Sequence, residues 1–188
     1  MAIFTGAHGT ANGLGSLVDA AVVLKARKAK NIKLVLVGEG REKADLQQRV
    51  VEEKLGDFII FHDLVPKTKL VGLMQSADAG LQILAEVPAF YYGTSPNKFF
   101  DYISAGLPVI TNYPGWVAEL VADHDCGIAV PPRDADALAN ALIVMQNNPT
   151  QDTMAKNAKT LAQSQFDRDK LGTEFVEWIE GIVAISKK

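Results

Sequence analysis

Cysteine and histidine are scarce in this chain, with one Cys and three dispersed His among 188 residues. A lone thiol rules out an intramolecular disulfide and slightly favours a reducing compartment. The scattered histidines offer no metal-ligand spacing, which argues against a zinc site. Cys126 stands between Asp125 and Gly127, the setting of a small buried residue at a strand start rather than of a reactive thiol. No stretch approaches the roughly 18 apolar residues of a membrane span, and the N-terminus lacks a signal-peptide pattern. The expected location is the cytoplasm, and a longer parent protein could work at the inner face of the membrane. Nor is one sign of charge in excess: 19 Lys and Arg against 22 Asp and Glu leave a net charge of −3, which argues against a general nucleic-acid-binding surface. Internal repeats and low-complexity segments are absent as well.

What is present is an ordinary globular balance, 48% hydrophobic and 22% charged, in a length that suits one domain with a sizeable core. Met1-Ala2 runs straight into the apolar Ile3-Phe4-Thr5, which reads as an excised domain whose N-terminal portion is missing. Short apolar, β-branched runs at residues 3–5, 32–37, 58–61, 78–84, 108–112 and 127–130 predict six strands. Helical spacing predicts helices over 14–30, 41–54, 66–75, 96–105, 116–122 and 135–146, the last capped by Asp134. Residues 85–94 read as a loop, and 151–164 and 168–185 as a closing pair of helices. Alternating strands and helices define an α/β fold: an open, doubly wound, six-stranded parallel sheet, with a core over 3–147. Ligands bind outside the carboxyl ends of the strands in such sheets.

Residues 91–110 organise the reading. Ser95-Pro96 marks a helix start with Pro at the first helical position, and Ala105-Gly106 marks its stop before a buried strand. A loop feeding a helix N-terminus offers unpaired N–H groups and the positive end of a dipole, which favour phosphate. Lys98 and Asp101 lie three apart and share a face of that helix, placing a cation for phosphate beside a carboxylate for sugar hydroxyls. A second anion-ready crossing is Gly6-Ala7-His8-Gly9-Thr10-Ala11-Asn12-Gly13, a Gly-rich loop between the first strand and its helix. There His8 is read as touching phosphate or capping backbone. Gly38 and Gly40 serve the turn after the second strand.

With Gly6-Ala7-His8-Gly9-Thr10-Ala11-Asn12-Gly13-Leu14, Leu36-Val37-Gly38-Glu39-Gly40, and Tyr92-Gly93-Thr94-Ser95-Pro96-Asn97-Lys98-Phe99-Phe100-Asp101-Tyr102 in this order, residues 3–146 resemble the C-terminal, nucleotide-sugar-binding domain of family 4 glycosyltransferases. Gly127-Ile128-Ala129-Val130-Pro131-Pro132 and Glu119-Leu120-Val121 add to the match. The resemblance implies the two-domain GT-B fold and bacterial surface-polysaccharide or lipopolysaccharide synthesis. It implies transfer of a sugar, with retention and without a metal, from a nucleotide-diphosphate-sugar, most simply a UDP-sugar. It also implies that an acceptor-binding N-terminal domain is absent here, so that this chain alone binds nucleotide yet transfers little.

Carried over position by position, the family's ribose-binding Glu falls on Asp101 and its sugar-contacting Glu on Gly93, which has no side chain. Backbone of the segment Gly93, Thr94, Ser95, Pro96 and Asn97, or another group, would replace the latter. Glu86, in the preceding loop, is the speculative catalytic substitute. Family cations fall on Ala7 and Asn12, leaving the diphosphate to Lys98 and to the helices opening at Gly13 and Pro96. Base recognition would use backbone in the loop from His62 to Val65.

Two other readings stay open. One is a dinucleotide-binding dehydrogenase domain, for which Glu39 ends the second strand suitably but the first loop is not G-x-G-x-x-G. The other is a non-catalytic sugar-nucleotide sensor or docking module. Phe175, Trp178, Ile179 and Ile182 form an apolar stripe, most simply core. In the GT-B architecture the last helix commonly crosses to the other domain, so part of this stripe could be exposed and promote weak self-association.

Overall fold

The computed structural model describes residues 1–186. Its sheet holds six strands, all parallel, in the order β3-β2-β1-β4-β5-β6. They are β1 (Ala2–Thr5), β2 (Leu34–Val37), β3 (Ile59–His62), β4 (Ala79–Gln82), β5 (Val109–Thr111) and β6 (Gly127–Ala129). Every strand falls where apolar runs predict one, within a residue or a few at its ends. Strand order reverses between β1 and β4, so a crevice opens above those two strands.

Helices α1 (Gly15–Ala26), α2 (Lys43–Glu52) and α7 (Ala135–Val144) cover one face. The other face carries α3 (Lys67–Gln75), α5 (Asn97–Ser104), α6 (Trp116–Asp123) and α8 (Asn148–Gln165). β1 shows why the sheet must be doubly covered. Ala2 and Phe4 enter the first core and Ile3 the second, and none is exposed beyond 6%. Burying one such large side chain contributes about 2 kcal/mol, so each helical layer is anchored by several.

Two elements depart from expectation. Residues 85–94 contain a short helix, α4 (Pro88–Gly93), with Pro88 in its first turn. Its Tyr91 stacks on Tyr113, with ring centroids 6.1 Å apart, and that packing makes a helix of a segment with loop-like composition. At the other end of the chain, α9 (Arg168–Ser186) is helical as expected but exposed along its whole length from 168 to 183. Its stripe of Phe175, Trp178, Ile179 and Ile182 is therefore not core, because no layer of this fold reaches it.

Candidate nucleotide-sugar site

The helix α5 is built by three residues. Phe99, Tyr102 and Ile103, at positions i, i+3 and i+4, are fully buried and turn Asn97, Lys98 and Asp101 toward the crevice side. Tyr102 fixes the helix to the sheet. Its hydroxyl accepts a hydrogen bond from the Thr5 N–H at 3.0 Å and lies 3.2 Å from Thr5 Oγ1, at the carboxyl end of β1. Its ring passes so close to β4 that a methyl on Gly80 would stand 2.4 Å from it. Burial pushes the phenol pKa far up, so the hydroxyl stays neutral and serves as an anchor.

At its far end α5 stops as the sequence indicates. Gly106 adopts φ +73, and the N–H groups of Gly106 and Leu107 reach back to the carbonyls of Ile103 and Tyr102 at 3.0 Å each, a Schellman closure. The start differs by one residue. Pro96 is the cap residue rather than the first helical one, with an extended ψ of 111, and no side chain caps the helix. Ser95 thus plays no capping role, and the first-turn N–H groups have no side-chain acceptor.

Lys98 is the centre of the site. Its ammonium donates to Asn12 Oδ1 at 2.7 Å and lies 4.3 Å from the centroid of the Phe4 ring. A methyl on Gly6 would meet Lys98 Nζ at 3.7 Å, so the cation sits directly over the end of β1. Asn12 in turn donates to the Ala7 carbonyl at 2.8 Å. Asn12 thereby acts as a bridge that ties the cation of α5 to the first loop, in a position where the resemblance places a cation. Burial pushes the Lys98 pKa down to about 8. An incoming diphosphate would reverse that penalty.

The loops after β1 and β2 are locked backbone to backbone. A methyl on Gly38 would stand 2.0 Å from the Gly6 carbonyl oxygen, and one on Gly40 2.4 Å from that of His8. His8 N–H donates to the Glu39 carbonyl at 2.8 Å, and the His8 carbonyl accepts from Glu42 at 3.0 Å. The His8 ring is 0% exposed, between Phe4 and Phe61, and neither ring nitrogen has a partner. In this structure the ring is thus closed off from solvent and bonds to no backbone group, and its contact with phosphate stays an expectation. Burial, then the nearby Lys43 charge, lowers the His8 pKa, keeping it neutral.

The remaining candidates divide into two groups. Gly38 N–H donates to the His62 carbonyl at 3.1 Å, and Val65 packs partly against the α3–α5 core, so the base-reading segment adjoins loop two. Asp101 pairs with Lys67 of α3 at 3.5 Å, a partner that sequence spacing does not reveal. Gly9 and Gly93 are open, with nothing within 4 Å of an added methyl. Thr94 is held by its hydroxyl to the Phe90 carbonyl at 2.7 Å and by Trp116 Nε1 to its own carbonyl at 2.9 Å. Gly13 turns away from Lys98 to pack its backbone on Ala85.

Glu86 is not in this group. It forms an ion pair with Arg133 after β6, at the rim of a cleft of about 710 Å³. That cleft runs between α1 and α2 and includes Asp19, Asp45 and Arg49, but neither Lys98 nor Asp101. The cleft and the Lys98 site are thus lined by different residues. In the cleft both guanidinium groups are already engaged by carboxylates, whereas Lys98 has no carboxylate partner among the ion pairs of the described residues. Cys126 is buried with its thiol pKa pushed up to about 11, so it is inert.

A six-stranded, all-parallel sheet covered by helices on both faces, with Lys98 over the end of β1 at the switch point, defines a Rossmann-like α/β domain. Residues 1–148 match the profile of the family described as glycosyl transferases group 1, and the chain belongs to that family. Solved glycosyltransferase structures contain a domain of the same fold. WaaG, described as a glycosyltransferase involved in lipopolysaccharide biosynthesis, superposes with TM-score 0.71 at 21% identity, over 87% of this chain and 42% of that one. Anabaena Alr3699/HepE in complex with UDP-glucose gives 0.78 at 20% identity, over 96% and 48%. The C-terminal domain of the Francisella tularensis group 1 protein LpcC gives 0.73 at 19%, over 89% and 86%. The chain thus spans about half the length of the two-domain structures and nearly all of the isolated domain. Among curated proteins none matches its sequence. Among the described residues, no helix is long and apolar enough to cross a membrane.

Proposed function

We propose that this chain is the donor-binding half of a retaining, metal-independent glycosyltransferase that moves a sugar from a UDP-sugar to an acceptor hydroxyl in surface-polysaccharide synthesis. The observation that carries the reading is Lys98: a single half-buried ammonium held over the end of β1, 2.7 Å from Asn12, at the uncapped start of α5. Such a cation, beside first-turn N–H groups that no side chain caps, suits a departing diphosphate, whose negative charge grows as the sugar leaves. Asp101, three residues along, is placed for ribose hydroxyls, and the backbone from His62 to Val65 for the base. The UDP and UDP-glucose complexes of HepE support a uridine donor here by analogy. An acceptor-binding domain would complete the site, and the chain alone is expected to bind donor without appreciable transfer.

Calorimetric titration with UDP and with NAD tests this. UDP should bind without added metal and with no effect of EDTA, and NAD should not. Absence of binding by every nucleoside diphosphate tried would overturn the assignment, whereas preference for NAD would favour a dehydrogenase domain. Measurable sugar transfer by the chain alone would refute its expected inactivity.

A further inference from the structure

Between α4 and α5, residues 94–96 belong to no helix and lead straight to the first-turn N–H groups of α5, which no side chain caps. Their path decides where those groups point. The turn after β5 holds the stretch from β4 to α5 at three successive places. Asn112 grips the end of β4, its amide accepting from the Leu84 N–H at 2.9 Å and donating to the Leu84 carbonyl at 3.0 Å. Gly115, at φ +121, lies so close to α4 that a methyl on it would stand 2.2 Å from the Tyr91 carbonyl oxygen. Trp116, the first residue of α6, then donates its indole N–H to the Thr94 carbonyl at 2.9 Å.

Of these three, Trp116 alone also touches α5. Its ring meets Phe99 edge-on and stacks on Phe100, with centroids 6.1 Å away in each case. One half-buried side chain thus packs on the first turn of the helix while its N–H holds the residue two places ahead of the cap. An indole wedged between two rings gives up little freedom in aiming its N–H. The Thr94 hydroxyl, donating to the Phe90 carbonyl at 2.7 Å, ties the same residue back to α4. The later part of α5 is secured separately, by the Thr5 N–H donating to the Tyr102 hydroxyl at 3.0 Å. Loss of the indole N–H should therefore release residues 94–97 and leave Asp101, next to Tyr102, in place.

We propose that Trp116 is a positioning residue of the donor site: through Thr94 it sets the path of residues 94–96 so that the first-turn N–H groups of α5 face the diphosphate. This rests on the reading of the α5 start as the diphosphate site and adds to it the side chain that aims that start. Donors fixed before the ligand arrives spare the cost of ordering them on binding.

Calorimetric titration of Trp116→Phe with UDP and with uridine tests the proposal. Phenylalanine keeps a ring against Phe99 and Phe100 but has no N–H to donate. UDP should bind about tenfold more weakly than to the parent, and uridine equally well. The melting temperature should fall by no more than about 3 °C, as suits one hydrogen bond in a domain of this size. Thr94→Val removes the hydroxyl bond to α4 and leaves Trp116 whole, and it should show the same split between UDP and uridine. The double variant should lose less UDP affinity than the two single losses multiplied together, because both act through one segment. Equal UDP affinity in Trp116→Phe and the parent would overturn the positioning role and leave the donor site standing. An equal loss for UDP and uridine would also overturn it, by showing a general loosening of the fold. A parent chain that binds no UDP would instead remove the donor site on which the role depends.

Discussion

Two regions of the crevice use glycine for opposite purposes. Where the loops after β1 and β2 meet, Gly38 and Gly40 let one backbone lie against another, with no space for a methyl group. Where α4 runs toward α5, a methyl on Gly93 would meet nothing within 4 Å. The first junction is a rigid floor and the second an unfilled position beside the proposed sugar site. Glycine in sequence is the same letter in both. Only the tertiary contacts separate a residue that must be small from one that merely is.

Gly38→Ala is the harshest test of that contrast. Its methyl would collide with the Gly6 carbonyl oxygen at 2.0 Å, and its φ of +147 is one that alanine adopts only under strain. Neither side can yield cheaply, since both are backbone in a loop tied by the His8 and Glu42 bonds. A loss of roughly 4 kcal/mol is expected, lowering the melting temperature by about 10 °C in a domain of this size. Calorimetry or thermal melts followed by circular dichroism would read it. A variant that melts within a degree or two of the parent would show that the loop junction is soft.

Lys98 joins the two regions, and its replacement should move stability and binding in opposite directions. Its pKa, lowered by burial to about 8, means that the folded state still holds a charged ammonium at pH 7, at a cost relative to the unfolded chain. For a depressed lysine the folded state binds fewer protons than the unfolded one between about pH 8 and 10.5. The destabilisation is therefore fully present below pH 8 and fades as pH rises to the unfolded value. Lys98→Met should thus stabilise the fold at pH 7 by on the order of 2 kcal/mol while weakening UDP about 10- to 100-fold. UDP affinity of the parent should also fall as pH rises through 8, and that fall should vanish in Lys98→Arg. Equal UDP affinity in Lys98→Met and parent would remove the central residue of the proposed site.

Much of this arrangement is legible in the residues themselves. All six strands show as short, mostly apolar runs because a sheet covered on both faces needs apolar side chains at consecutive positions. The α5 stop at Gly106 is equally plain, since a left-handed closure has few other solutions. His8 is not legible: a histidine between glycines in a loop reads as exposed, and only the packing of loop two over loop one buries it. The ion pair of Glu86 is hidden for a related reason, its partner Arg133 being 47 positions away in sequence and reached only through the strand order. The α9 stripe has the periodicity of a core helix, and periodicity says that a face is apolar without saying what covers it.

A smaller effect is expected at Asp101. Its partner Lys67 is 82% exposed at 3.5 Å, a pair of the kind that adds little to stability. Asp101→Asn should leave the melting temperature nearly unchanged but weaken UDP about fivefold, because a charged acceptor for a diol is lost while the shape is kept. Uridine titrated in parallel should lose affinity by a similar factor, since the ribose contact is common to both. If UDP loses affinity and uridine does not, Asp101 acts on the phosphates rather than on the ribose.

Gly93→Glu completes the comparison at its mild end. No atom lies within 4 Å of the methyl position, and Gly93 is the last residue of α4, where replacing glycine reduces the freedom of the unfolded chain at no steric cost. Stability should therefore change by no more than about 0.5 kcal/mol, in contrast to the several lost at Gly38. The new carboxylate would stand where related glycosyltransferases are expected to hold the donor sugar. UDP-glucose affinity should then rise a few-fold while UDP affinity stays level, since only the sugar gains a partner. An equal change for both ligands would mean that position 93 addresses the diphosphate, and no change for either would place the sugar elsewhere in the crevice. A melting temperature lowered as far as that of Gly38→Ala would erase the distinction between the two junctions.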